Sequence, residues 1–116
     1  MCGISGEVRF DGVPADTAAV SRMTAGLRSR GPDGSGGWDD GWVTLGHRRL
    51  SIIDLSDQAA QPMADPDHDG AVVFNGCIYN YRQLRAHLQA TGYRFRTSSD
   101  TEVILAAFPA HTFGWA

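Results

Sequence analysis

Lysine is absent from the 116 residues, and all ten basic side chains are arginine. That excludes a phosphate-loop lysine, a Schiff-base lysine and a lysine general base, and with them ATP chemistry of the phosphate-loop kind. Cysteine is nearly absent: Cys2 and Cys77 are too few for a disulfide framework. No apolar run approaches the roughly 20 residues that span a bilayer, so a membrane is not expected as a partner. The opening MCGISGEVRF has no basic stretch followed by an apolar one, so no secretory signal is read, and a cytoplasmic chain with free thiols is expected. Nor is there a surplus of positive charge. With a formal charge of −3, nucleic acid is not the expected partner, because phosphate binding needs a basic face.

What is present describes one small globular domain. Hydrophobic residues at 42% against charged residues at 20% exclude a disordered tail. Glycine stands at 14 of 116, well above the usual share of about 7%, and it clusters where loops are expected, as if backbone were brought close to something.

Residues 2–10 read as a strand beginning at the terminus, followed by a turn at Asp11-Gly12-Val13-Pro14. Asp16 is placed to cap a helix reaching Ser29, with Val20, Met23 and Leu27 on its inner face. Residues 30–41 (RGPDGSGGWDDG) read as a glycine-rich loop, and Trp42 to Ile53 as a strand. Residues 54–70 lack periodicity and form a long loop of the kind that commonly carries function. A second strand is expected from Ala71 to Tyr79, then a helix capped by Asn80 and running to about Thr91, with Leu84 and Leu88 inward and Gly92 after its end. Tyr93 to Thr97 reads as a short strand. Ser99-Asp100-Thr101-Glu102 opens a helix as a capping box, and Pro109 ends it after Phe108. The sum is α+β, with antiparallel strands and helices packed on them.

Four places could carry chemistry. Removal of Met1 would leave Cys2 as a terminal residue, bearing a nucleophile and, in its own α-amine, a base near neutral pH; the plain alternative is an arbitrary second residue. In His47-Arg48-Arg49, strand alternation sends one arginine to each face, and an inward arginine suits a carboxylate; a surface ion pair is the plain alternative. Asn75-Gly76 is a standard hairpin turn, yet an asparagine amide and a glycine N–H can also donate together to a developing oxyanion. Asp100, in the first turn of its helix, could bind an ammonium group. Asp65, Asp67, His68 and Asp69 match no metal-loop spacing, and no metal site is expected.

Together these segments resemble a known family. MCGI at 1–4, RGPDG at 30–34, LGHRRLSIIDLS at 45–56, QPM at 61–63, FNG with IYNY at 74–81 and SDTEVILAAF at 99–108 follow the glutaminase domain of asparagine synthetase-type amidotransferases, which are N-terminal nucleophile hydrolases. The resemblance runs in order from Met1 to Phe108. It implies a partial αββα sandwich with mainly antiparallel sheets, residues 1–116 being the N-terminal part of the glutaminase domain. It implies attack by Cys2 on the side-chain amide of L-glutamine, with release of ammonia and hydrolysis of a thioester to glutamate. Asn75 and Gly76 match the oxyanion donors. Arg49 matches the carboxylate clamp, Leu50, Ser51, Ile52 and Ile53 line the pocket, and Asp100 matches the partner of the substrate ammonium. Free glutamine is a zwitterion, so a cation and an anion at fixed separation set how far its amide reaches; asparagine should fall short.

Two departures stand out. Position 77 is cysteine, where typical asparagine synthetases carry glutamate, and FNGCIYNY resembles the branch that forms N-acetylglutaminylglutamine amide. The closing PAHTFGWA also drifts from the family pattern, as after a truncation. The synthetase domain, with its ATP and magnesium, is the missing partner this implies, so no cofactor is expected in this chain and no ATP-driven amidation by it alone. The incomplete sandwich is expected to expose apolar sheet edge. The resemblance says nothing of oligomeric state.

Overall fold

A computed structural model of the chain describes residues 1–51, 57–67 and 70–110. Strands β1 (Gly3–Val8), β2 (Gly34–Asp39) and β3 (Val43–Arg49) form an antiparallel sheet with β3 in the middle. On one side Gly3 pairs with Arg48 and Val8 with Val43; on the other, Gly34 pairs with Arg49 and Asp39 with Thr44. The expected loop over 30–41 is therefore half strand. GSGGWD has poor strand propensity, but its partner strand overrides it, since each of its six residues sits opposite one on β3. The Asp40 N–H donates to the Val43 carbonyl at 2.9 Å to close the hairpin.

Helix α1 (Thr17–Gly26) lies across one face of this sheet. Asp16 caps it as expected, its carboxylate accepting the Ala19 N–H at 2.9 Å. The helix stops three residues short of Ser29, and Met23 is 52% exposed, contrary to its inward assignment. Thr24 takes the buried place. Its hydroxyl lies 2.8 Å from both the Val20 carbonyl and Ser5 Oγ. Beneath it Gly46 admits the helix: a Cβ at 46 would stand 2.0 Å from Thr24 Oγ1. The helix thus approaches the sheet through a hydroxyl pair over a bare backbone, which an apolar-periodicity reading does not detect. On the opposite face Ile4 and Val8 remain exposed.

The rest of the chain has little ladder. A single 3₁₀ turn covers Asp57–Ala59, and strands β4 (Met63–Ala64) and β5 (Ala71–Val72) pair antiparallel over two residues each. The strand expected over 71–79 ends at Val72. The Asn75-Gly76 hairpin does not form either, for the positive-φ glycines among the described residues are Gly12, Gly41 and Gly92. Helix α2 (Tyr81–Ala90) starts after Asn80, but the expected cap is not made: the Asn80 side chain forms no capping bond. It ends as expected: Gly92 has φ +104°, and the Gly92 and Tyr93 N–H groups donate back to the Gln89 and Leu88 carbonyls at 3.0 and 3.2 Å. Leu88 is buried, but Leu84 is exposed, because the packed face of α2 is turned toward Tyr81 and Arg85.

Helix α3 (Thr101–Ala110) continues two residues past Phe108, through Pro109. Val103 and Ala106 of α3 pack with Leu88 of α2 into the core, with Tyr93 and Phe95 against them. The strand expected at Tyr93–Thr97 is absent. Its Arg96 and Thr97 N–H groups donate instead to the Glu102 carboxylate, at 2.9 and 2.7 Å. Ser99 Oγ accepts from Thr101 N–H, so the capping box is only half made, and Glu102 reaches past its expected partner to order the preceding loop. The class is α+β, as expected.

Candidate active site

The C-terminal end of β3 turns toward the start of β1. There the Leu50 N–H donates to Cys2 Sγ at 3.2 Å, and the sulfur lies 3.6 Å from the Leu50 carbonyl. RGPDG holds this corner. The Gly31 carbonyl accepts from Arg48 Nε at 2.8 Å, the Asp33 N–H donates to the Arg49 carbonyl at 2.9 Å, and the Asp33 carboxylate accepts the Ser51 N–H at 2.8 Å. The motif therefore fixes the course of residues 48–51, which deliver Arg49 to the same hollow as Cys2.

That hollow is a cavity of about 310 Å³. Cys2, Arg49, Leu50 and Ser51 line it from the sheet side, and Asn75, Gly76, Cys77 and Asp100 from the other. All of these were singled out from the sequence. The remaining two, Ile52 and Ile53, lie outside the described residues. The lining is mainly apolar with a cation and an anion in it, a combination that suits a small zwitterion with an uncharged middle.

Asp100 is buried, at 5% exposure, and its Oδ2 accepts the Ile78 N–H at 2.9 Å. One carboxylate thus joins the start of α3 to the segment that bears Asn75, Gly76 and Cys77. Both thiols are free: Cys2 is half-buried and Cys77 exposed. Behind the wall, His47 shares the Arg49 face of β3 and is 1% exposed. Neither ring nitrogen has a hydrogen-bond partner among the described residues. Burial, chiefly, pushes its pKa below the ordinary 6.5; the Phe74 backbone pulls the other way, and Arg49 adds a smaller push downward.

Sequence reasoning missed Gln61, Phe74, Ser99 and Thr101, which also line the cavity. Gln61 stood in the QPM segment with no role attached. Phe74 stood in the FNG motif, and Ser99 and Thr101 in the capping box, where their residue types suggested only packing and helix capping. Met1 lines the cavity too and is 71% exposed.

A thiol, a cation, an anion and an asparagine-glycine step thus surround one small cavity. The chain belongs to the glutamine amidotransferase domain family, which it matches over residues 1–113. Among curated proteins it is similar to glutamine-hydrolysing asparagine synthetase 1 of Bacillus subtilis, 44% identical over 93% of this chain and 17% of that protein. It is also similar to asparagine synthetase B of Escherichia coli, 38% identical over 93% of the chain and 19% of the relative, and to the Brassica oleracea asparagine synthetase, 38% identical over 96% and 19%. The chain thus spans about a fifth of the length of these relatives.

Proposed function

We propose that this domain hydrolyses L-glutamine to glutamate and ammonia through a thioester on Cys2. The observation that carries the reading is the meeting of Cys2, Arg49, the Asn75-Gly76 step and Asp100, distant in sequence, at one cavity of about 310 Å³. Arg49 takes the substrate α-carboxylate and Asp100 its α-ammonium, so the side-chain amide is held toward the sulfur. Excision of Met1 frees the Cys2 α-amine at the cavity. The amine takes the thiol proton, the sulfur adds to the amide carbon, and the oxyanion is met by the Asn75 side-chain amide and the Gly76 N–H. The amine returns the proton to the departing nitrogen as ammonia leaves. Water then adds to the thioester and releases glutamate and the thiol.

The parent reaction we propose is ATP-dependent amidation of the asparagine synthetase kind, with ATP and magnesium belonging to a synthetase domain that takes up the ammonia. Cys77, exposed at the cavity where glutamate is usual, favours a second reading of the parent, formation of N-acetylglutaminylglutamine amide. A binding-only remnant is the remaining alternative, favoured by the exposed Ile4 and Val8 on the sheet.

A diazoketone analogue of glutamine separates catalysis from binding. Intact mass should show a chain without Met1 carrying one adduct on Cys2, with no adduct on Cys2→Ala. A folded chain that stays unlabelled and forms no glutamate from glutamine overturns the reading.

A further inference from the structure

We infer that Gln61 is a positioning residue for the oxyanion donors, an inference that rests on the amide-hydrolysis reading above. Residues 73–78 belong to no helix or strand. No ladder holds the backbone that presents Asn75, Gly76 and Cys77, so some other contact must set its place relative to the start of α3. Two contacts do so, one at each end of the segment. At the far end Asp100 Oδ2 accepts the Ile78 N–H at 2.9 Å. At the near end the Gln61 side chain accepts the Phe74 N–H on Oε1 at 2.6 Å and donates from Nε2 to Thr101 Oγ1 at 3.1 Å. The three residues between them form an arch held by two staples. Each staple runs to the first turn of α3, through Asp100 or its neighbour Thr101.

Behind it, the Gln61 main chain packs closely against β2. The Gln61 carbonyl oxygen lies 2.1 Å from where a Cβ on Gly36 would stand, so only a bare backbone on β2 admits it. One residue therefore connects β2, the arch and α3, and it lines the cavity without being needed to touch the substrate. Its chemistry fits the task. A primary amide has an acceptor and a donor side by side and no charge, so it joins an N–H to a hydroxyl oxygen without competing with Arg49 or Asp100 for the zwitterion.

The oxyanion donors act only as the tetrahedral centre forms, whereas Arg49 and Asp100 hold the ground state. Loosening the near staple should therefore lower kcat and leave KM almost unmoved. In the full chain we expect Gln61→Ala to lose about tenfold to a hundredfold in kcat, the range that a misplacement of about 1 Å commands, with KM within about twofold. Gln61→Met keeps the length of the side chain but neither hydrogen bond, so its kcat should fall as far as that of Gln61→Ala. Thr101→Val, which cuts one arm, should fall between. Hydrogen exchange at the Phe74 amide should quicken in Gln61→Ala while β1–β3–β2 stays protected. Unchanged kcat in Gln61→Ala, a loss carried by KM alone, or a Gln61→Met variant as active as the unmutated chain overturns the positioning role while glutamine hydrolysis by the unmutated chain stands. A folded unmutated chain that makes no glutamate overturns the hydrolysis reading, and this inference with it.

Discussion

The two walls of the cavity are held by different forces. The wall bearing Cys2 and Arg49 is built from backbone ladder: β3 pairs on both sides, and α1 closes over it at Gly46. The wall bearing Asn75 and Asp100 has two strands of two residues each and is held by side chains that reach backbone, namely Gln61, Asp100 and Glu102. Ladder distributes stability over many equivalent bonds, so bulk matters more there than any one polar atom. Where three side chains take the place of a ladder, each removal leaves buried donors without an acceptor. Segments that must fit a substrate are free to take irregular shapes under the second arrangement, at the cost of depending on single residues.

The largest effect that would test this contrast is expected at Glu102, which has no exposed surface and accepts from Arg96 N–H, Thr97 N–H and Thr97 Oγ1. Glu102→Ala should cost about 3 kcal/mol in urea unfolding, since it strands buried donors. A loss under about 1 kcal/mol would mean that the second wall is not held by its polar side chains. Next comes Gly46→Ala, which sets a methyl against Thr24 Oγ1. Overpacking of this kind should cost about 2 kcal/mol, and adding Thr24→Ala should recover much of it. Failure of that recovery would show that the helix-sheet approach does not turn on the hydroxyl.

The smallest effect concerns His47, whose folded pKa lies below its ordinary 6.5 through burial. The unfolded chain then binds the proton more readily than the folded one. Stability should be full above pH 6.5 and fall as the pH drops through 6.5 toward the lower folded value. The slope is limited by one proton to about 1.4 kcal/mol per pH unit. Subtracting the unfolding curves of a His47→Leu variant from pH 7.5 to 5 isolates this contribution, and identical pH dependence in the two proteins would remove His47 from the account.

The contrast also explains which elements could be read in advance. The Asp16 cap, the Gly92 helix end and the central residues of strands β1 and β3 follow from local chemistry, and they appear where expected. Errors gather where tertiary contact decides. GSGGWD became a strand because β3 was available to pair with it. Residues 93–97 failed to become one because Glu102 took their N–H groups. Met23 and Leu84 face outward because the buried faces of their helices are completed by Thr24 and by Tyr81 with Arg85, residues that a hydrophobic pattern does not count.

From sequence alone came the α+β class, the family and the residues of the candidate site, because ordered short motifs preserve residue types and their spacing. Tertiary structure alone decided that Cys2, Arg49, Asn75 and Asp100 meet at one cavity, and that Gln61 belongs among them. The physical reason is that a side chain bridging three distant segments leaves no periodicity along the chain, and its partners become visible only once the backbone has brought them together.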